Sequence, residues 1–294
     1  MKSKGVATIF AAALLTLCSG CSIHFSPGGN MTFNDSFHYS AYANAERYSA
    51  GDFTYSAAEI SEVRVHWVAG QIHLTEKEDA ELSVYESAEG LSEDAQLHYM
   101  IQDNVLTIHY CASDYRGKIK GESKQLSLEI PAGVTLTISS VSAPILAETL
   151  TSPSLDMETV SGGVSIHQLT GDNADFSTVS GNIDMDAADV KKLSLTAVSG
   201  EFDVEKLTVD QLKAETVSGD MEFEFLACRE AALETVSGET NLILPAEGGT
   251  VRFDTISGEL MTERLYQRQD HFYGFGPADC KISVSSTSGD LAIE

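Results

Sequence analysis

The sequence is poor in positive charge. It has 18 Lys and Arg against 44 Asp and Glu in 294 residues, a formal net charge of −26. Proteins that follow nucleic-acid phosphates need a basic footprint, so this balance argues against nucleic-acid binding. Three roles of the acidic charge remain possible: simple solubility, repulsion from anionic envelope polymers, and attraction of cations such as metal ions and basic peptides. Because 43% of the residues are hydrophobic, we expect a globular chain with a substantial core.

Motifs of familiar catalytic and metal sites are also scarce. After residue 21 there is no C-x-x-C, no H-E-x-x-H, no H-x-H pair and no G-x-S-x-G. The sequence therefore predicts no catalytic residue, no metal site and no cofactor. Polysaccharide lyases and hydrolases built on parallel β-helices remain the enzymatic alternative. They need a local cluster of Asp, Lys or Arg, and the notable basic spot here is the pair Arg264 and Arg268.

Long apolar runs are missing too, and the longest, Val6–Leu17, is too short to span a bilayer. Two lysines precede it and small residues follow, so residues 1–20 are predicted to be a signal peptide. The run Leu17-Cys18-Ser19-Gly20-Cys21 resembles a bacterial lipobox, in which cleavage precedes a lipid-carrying cysteine. Lipid attachment at Cys21 is therefore predicted, with ordinary secretion as the alternative. Acyl chains on this residue would hold the protein on a membrane.

Three cysteines would remain in the mature chain beside a lipidated Cys21, namely Cys111, Cys228 and Cys280. An odd number cannot all pair internally. One disulfide with a free thiol and three buried thiols are both compatible with export, so their redox state stays open.

The first part of the mature chain divides into two regions. Residues 21–50 are polar, with scattered aromatics such as Tyr39, Tyr42 and Tyr48 and no sustained period, which indicates a tether. Residues 51–142 alternate apolar and polar positions and are predicted to form an N-terminal β region of degenerate coils. Two alternating runs around Asp103-Asn104 predict a hairpin with a short turn.

A strict repeat follows. Ser-Gly pairs recur at intervals of 19 residues, then of 20 and 31, and are predicted to form structural turns at Gly162, Gly181, Gly200, Gly219, Gly238, Gly258 and Gly289. Glycine is expected there for a positive φ or for a close backbone approach.

The second and fourth residues after each glycine are mainly apolar. Two further apolar columns recur round each coil, one formed by Leu155, Ala174, Leu193, Leu212 and Ala231 and the other by Met157, Phe176, Leu195, Ala214 and Leu233. Equivalent apolar positions stack in columns when each repeat is one coil that cannot bury its apolar face alone. The pattern predicts an all-β fold: a single-stranded, parallel, β-helix-like solenoid of 19-residue coils. Its regular part would span residues 143–294, with an insertion near 264–280, after the more irregular N-terminal part.

Carboxylates recur at outward positions of the predicted coils. They define a candidate acidic binding face, formed by Asp184, Asp203, Glu222, Glu201, Asp220 and Glu239. A solvated face is the simplest interpretation. Calcium is a weaker alternative, because the loop motifs that would make a calcium site specific are absent.

Thr-Val-Ser triplets precede several of the glycines. If their valines point inward, the hydroxyls form an outward ladder, as in β-solenoid ice-binding proteins. We prefer the other interpretation, in which the hydroxyls cap the glycine turn.

Three features together resemble the bacterial "putative adhesin" family, a class of envelope-associated β-strand-repeat proteins of unknown function. They are the stretch "YSAGDFTYSAAEISEVRVHWVAGQIHL", the T-V-S-G repeats followed by Asp, Glu or Asn, and the ending "KISVSSTSGDLAIE". The similarity covers roughly residues 47–294. The family has no established catalytic residues that could be carried over.

Residues and resemblance together favour a non-enzymatic lipoprotein, exported and anchored to a bacterial membrane, that binds or senses through its acidic face. Its expected partners are membrane lipid through Cys21 and an unknown envelope component or cationic ligand. Two alternatives remain: a structural spacer or self-assembling rod, and a carbohydrate-active enzyme.

Overall fold

The computed structural model describes residues 37–88, 90–117, 119, 124–277 and 279–294. The predicted signal peptide, Cys21 and the first part of the tether lie outside these residues. The described chain is mostly strand, with short 3₁₀ turns at Ala45–Arg47, Ala57–Glu59 and Glu93–Ala95.

The strands fall into three groups by length and position. The N-terminal group is short: β1 Phe37–His38, β2 Ser49–Ala50, β3 Phe53–Ser56, β4 Glu62–Trp67, β5 Gln71–Lys77, β6 Glu81–Ser87, β7 His98–Gln102, β8 Val105–His109, β9 Arg116–Gly117, β10 Gln125–Pro131 and β11 Thr135–Ser140. The central group is long: β12 Ile145–Thr159, β13 Val164–Thr178, β14 Ile183–Ala197, β15 Phe202–Glu215 and β16 Met221–Thr235. The C-terminal group is short again: β17 Thr240–Ile243, β18 Thr250–Thr255, β19 Leu260–Thr262, β20 Gln267–Gln269, β21 Phe272–Gly274, β22 Lys281–Ser286 and β23 Leu291–Ile293.

The five central strands are consecutive coils of a parallel solenoid, which confirms the predicted fold class. Each pairs in parallel with the next at an offset of one repeat, so that Ile145 faces Val164 and Val164 faces Ile183. Pairing skips a residue at two points of the first coil, Glu148 and Pro153. Consecutive exposed residues mark the corresponding corners of later coils, for example His167 and Gln168. The chain therefore turns corners within one long strand.

The core is a set of apolar columns that run along the stack. The four columns expected from the sequence are buried, and Phe176, Phe202 and Phe223 are among their largest members. A fifth column was missed. It occupies the middle segment of each coil and consists of Leu150, Leu169, Ala188, Leu207 and Phe225.

The repeated glycine is required by close approach rather than by backbone conformation. The glycines of the regular turns have no positive φ. A Cβ built on Gly200 would lie 2.1 Å from the carbonyl oxygen of Gly181, and one on Gly219 would lie 1.8 Å from that of Gly200. Real Cβ atoms do not come so near a carbonyl oxygen, so a side chain would force the coils apart.

In the Thr-Val-Ser triplets that precede the glycines, the threonine points inward and the valine outward. A hydroxyl ladder would need the reverse orientation. Thr178, Thr216 and Thr235 are buried, and their Oγ1 atoms accept hydrogen bonds from the amides of the glycines three residues later, at 2.7, 3.1 and 3.0 Å. The following valines are partly exposed. The threonines therefore cap the turn, and the valines form the outer edge of the corner.

The last two coils stack in the reverse of their sequence order. Gly289 approaches the carbonyl oxygen of Gly238, and Gly258 approaches that of Gly289. Strand β22 correspondingly lies between β16 and β18, and β23 lies between β17 and β19. This explains the 31-residue interval, because the chain builds the outermost coil first and then returns inside it. The sequential stacking suggested by the repeat was therefore wrong at this end.

The predicted insertion also forms structure. Strands β20 and β21 make a hairpin, and β21 pairs in antiparallel fashion with the outer edge of β18. An exposed parallel edge invites association with other chains, so this hairpin protects the end of the stack.

At the other end the chain departs from regular coils. Strands β7 and β8 form the predicted hairpin, with Asp103 and Asn104 both at positive φ in its turn. Strand β5 pairs with β10 on one side and with the start of β12 on the other, with Ile72 beside Ile145. The Trp67–Leu74 segment thus has the register of one coil.

Part of the predicted tether of residues 21–50 is packed against this end, so its described residues 37–50 are not a plain spacer. Tyr39 is only 5% exposed, and its hydroxyl lies 3.0 Å from Nδ1 of His109. The rings of Tyr42 and His109 stack with centroids 3.9 Å apart. The aromatic residues that looked scattered in the sequence gather around His109. The sequence did not show this cluster, because its members contact residues some 70 positions away.

A buried ion pair holds the same end together. Lys124 is 0% exposed, and its Nζ donates to Oε2 of Glu86 at 2.8 Å, to the carbonyl of Ala95 at 2.6 Å and to the carbonyl of Tyr110. All three ammonium protons therefore have acceptors. Burial raises the pKa of Glu86 and lowers that of Lys124. The pair is a structural crosslink whose members depend on each other.

Substitution of Gly200 should destabilise the whole stack. We expect Gly200→Ala to lower the free energy of unfolding by about 3 kcal/mol, because the new methyl group collides with backbone of the preceding coil. Urea titration measures this. The matched control is Gly274→Ala, where the nearest atom to the new Cβ is 3.8 Å away and the change should be small. Equal stability of the two variants would contradict the close-approach account.

The stability of the N-terminal end should depend on pH through His109. Burial lowers the pKa of His109 to about 3, so the folded state keeps this ring neutral while the unfolded chain binds a proton below pH about 6.5. The stability from this residue is present above pH 6.5 and is lost as the pH falls toward 3. Between pH 7 and pH 5 the loss should be about 2 kcal/mol.

Two variants distinguish the pH-dependent stability due to His109 from that due to titrating carboxylates. His109→Gln should show a shallower loss of stability between pH 7 and pH 5 than the unsubstituted protein. His167→Gln, which alters an exposed histidine of the regular coils, should keep the original slope. An unchanged slope in His109→Gln would contradict the assignment.

Candidate functional site

The candidate acidic face lies on the first segment of the coils, directly after the glycine turn. Parallel in-register pairing places equivalent residues of successive coils next to each other, about 4.8 Å apart. Asp184 pairs with Asp203, and Asp203 pairs with Glu222. The structure thus brings these three predicted residues together as an exposed column.

The column has clear ends. It begins after Ser165 and is followed by Asn241, Ala292 and Met261 in the next coils. No basic residue stands in it. Three carboxylates are therefore the full extent of this acidic column.

The other three predicted residues form a second column, nearer the turn, and they are not equivalent. Oδ1 of Asp220 accepts a hydrogen bond from the amide of Glu239 at 2.8 Å, and Asn182 does the same for the amide of Glu201 at 3.1 Å. Asp290 repeats the contact with the amide of Glu259. In this column the side chains of Asn182, Asp220 and Asp290 therefore bind the backbone of the neighbouring coil. Among the predicted residues, Glu201 and Glu239 remain as outward carboxylates.

Electrostatic repulsion is visible on the face. Packing of the neighbouring coils removes water from the carboxyl group of Asp184, and together with the charges of Asp203 and Glu201 this raises its pKa. Ionised neighbours about 5 Å apart repel each other by about 0.8 kcal/mol in water. The folded protein thus stores a modest repulsion that a bound cation would relieve.

A second group of carboxylates was not singled out from the sequence. Asp156 and Glu158 lie on the last segment of β12, and Asp175 is the register partner of Asp156 on β13. Partial burial and then the neighbouring carboxylates raise the pKa of Asp156 and of Glu158. Ser194 and Lys213 continue this column in the next coils and interrupt its charge. The pattern was missed because its carboxylates are followed by uncharged and basic residues.

The middle segments of the coils line a groove of about 840 Å³, which sequence reasoning also missed. One row along it alternates in charge, as Asp172, Lys191, Asp210 and Arg229. Nζ of Lys191 lies 2.6 Å from Oδ1 of Asp172. Its wall toward the C-terminal end contains Cys228 and Cys280.

Within residues 37–294, apart from the gaps given above, no cluster of three or more His, Cys, Asp or Glu has the arrangement of a metal site. Over the same residues no helix is long and apolar enough to cross a membrane.

The family model of Toastrack DUF4097 matches residues 60–294. The chain belongs to this family. The resemblance to a "putative adhesin" family of unknown function is confirmed.

One solved structure supports the same fold, and others share part of its similarity to this chain. A "putative adhesin" from Bacteroides fragilis is similar over 83% of this chain and 96% of its own length, with 14% identity and a TM-score of 0.52. A "putative adhesin" from Parabacteroides merdae matches 84% of this chain and 96% of its own, with 13% identity and a TM-score of 0.45. A "putative lipid binding protein" from Parabacteroides distasonis matches 84% and 97%, with 14% identity and a TM-score of 0.49. At such identities the likeness concerns the fold alone. No curated protein matches the chain.

Neutralising the centre of the acidic column should stabilise the protein. Because Asp203 lies between two carboxylates, we expect Asp203→Asn to raise the free energy of unfolding by about 1 kcal/mol at low salt. The gain should shrink at high salt, where the repulsion is screened. Thermal unfolding at two salt concentrations measures this. Asp172→Asn is the control: it removes a carboxylate paired with Lys191 and should give no gain. Destabilisation by Asp203→Asn would contradict the account.

Proposed function

We propose that this protein is a non-enzymatic binding protein displayed at the bacterial cell envelope, and that its acidic face binds an extended cationic partner. The observation that carries the proposal is the column of Asp184, Asp203 and Glu222 at one-coil spacing. A rigid row of like charges, repeated every 4.8 Å or so, matches a chain-like polycation better than a compact ligand.

The raised pKa of Asp184 supports a binding role in energetic terms. A cationic group near this carboxylate lowers the repulsion among three neighbours at once. Contacts made in register along the column are multivalent, so individually weak ion pairs add up when the partner is extended. Such binding is strongly dependent on salt, because the column is exposed.

The proposed location of the protein rests on its amino-terminal sequence and not on the coils. The signal-like segment and the lipobox-like run predict export and attachment through Cys21. The similar "putative adhesin" from Bacteroides fragilis agrees with a place at the cell surface. Lipid attachment would orient the solenoid with its N-terminal end toward the membrane and its C-terminal coils outward.

Binding of a polylysine probe tests the acidic face. The variant Asp184→Asn, Asp203→Asn, Glu222→Gln should bind the probe at least tenfold more weakly than the unsubstituted protein at low salt. A matched control, Glu46→Gln, Glu81→Gln, Glu93→Gln, removes the same charge from scattered exposed positions of the N-terminal half and should bind nearly normally. Titration calorimetry at low and high salt measures all three proteins.

Two outcomes would contradict the proposal. Equal weakening in both variants would mean that net charge alone governs binding. Absence of binding by the unsubstituted protein would favour the structural spacer. Thermal unfolding of each variant is the folding control. A variant that unfolds at the temperature of the unsubstituted protein or above it is folded, so its binding can be compared directly.

A further inference from the structure

We propose that Cys228 and Cys280 form a disulfide in the exported protein, which fastens the C-terminal strand into the solenoid. The proposal rests on the export inferred above, and it settles which of the three mature cysteines pair. Cys111 belongs to the other end of the stack, beside β8, and takes no part.

The register of the strands brings the two cysteines together. Glu230 on β16 pairs with Lys281 on β22. Arg229 occupies a corner of its coil, at the position where pairing skips a residue. Cys228 lies just before this corner and Cys280 lies just before Lys281, so the two cysteines lie at the same corner of neighbouring coils. Disulfides span Cα separations of about 4.4–6.8 Å, a range that includes the spacing of about 4.8 Å between adjacent strands.

The side chains are also in contact. The thiols of Cys228 and Cys280 are close enough to influence each other's ionisation. Their interaction lowers the pKa of Cys280, while the same interaction and burial raise that of Cys228. Cys280 is therefore the thiol that ionises first.

Access is provided by the groove. Cys280 is only 2% exposed, but both cysteines line the groove of about 840 Å³ on the middle segments of the coils. A small disulfide reagent, or the active-site loop of a thiol–disulfide oxidoreductase, can approach through this opening. Residues that line the same wall, such as Pro245 and Ala246, are small and leave it open.

The reaction is thiol–disulfide exchange with an external disulfide as oxidant. The Cys280 thiolate attacks one sulfur of the oxidant, forms a mixed disulfide and releases the other sulfur as a thiolate. Cys228 then loses its proton to water and attacks the Cys280 sulfur, which forms the Cys228–Cys280 bond and releases the second thiolate. The protein gives up two electrons and two protons, and the oxidant is reduced to two thiols.

The position of the bond gives it a specific consequence. Cys280 directly precedes β22, the strand that returns inside the outermost coil. A crosslink to β16 closes a loop that contains β17 to β21, and so prevents the returning strand from slipping out without unfolding of the regular coils. Crosslinks of this kind act mainly by restricting the unfolded state.

Peptide mapping of the full chain tests the bond directly. The reduced protein is treated with oxidised glutathione, then alkylated and digested without reductant. We expect a peptide pair joined through Cys228 and Cys280, lighter by about 2 Da than the sum of the free peptides. The Cys111→Ala variant should give the same pair. Recovery of the two cysteines on separate alkylated or glutathionylated peptides would overturn the proposal.

Hydrogen exchange of the same samples tests the consequence without any substitution. Reduction should raise the exchange rate of residues 281–293 at least tenfold, with little effect on β13 and β14. An unchanged rate would contradict the stapling role. Lysis of cells in an alkylating reagent distinguishes a failure of this proposal from a failure of the proposed location. If the two cysteines form a disulfide with oxidised glutathione in vitro but are recovered as thiols from cells, the result would support the geometry and contradict export.

Discussion

The approach of one glycine carbonyl to the next glycine determines the rest of this structure. Where each coil turns, the position of a side chain is taken by the carbonyl oxygen of the neighbouring coil, about 2 Å from where a Cβ would lie. The close approach fixes spacing and register together. With the register fixed, apolar residues at equivalent positions stack into columns and are buried along the whole solenoid. No single coil could bury them alone.

The same register creates the candidate site. A solenoid repeats whatever its sequence repeats, so carboxylates at one outward position become a ladder without any specific contact among them. The hydrogen bonds separate structural from available members: Asp220 binds an amide of the next coil, whereas the carboxylates of Asp184, Asp203 and Glu222 face solvent. The acidic column is therefore a consequence of stacking, and single substitutions can lengthen or shorten it.

Sequence periodicity predicted most of the regular coils and failed where contacts do not follow the repeat. The 19-residue interval predicts which residues are neighbours, so four of the five apolar columns and the Asp184 column followed from it. It carries no information about the order of the last two coils, since Gly258 and Gly289 present the same local pattern. Tyr39 and Tyr42 looked like tether residues because their partner, His109, is distant in the chain. The Cys228–Cys280 contact depends on the same reversal and was equally hidden.

Spin-label distances across the stack test the central claim that glycine contacts, and not sequence order, determine the coil order. Labels at Ser161→Cys paired with Ser288→Cys, and with Ser257→Cys, probe equivalent corner positions in a background without other cysteines. In the structure five coil intervals separate the first pair and six the second, which gives about 24 Å and about 29 Å. The account predicts that the pair with residue 257 is the longer. The reverse order of the two distances would contradict it.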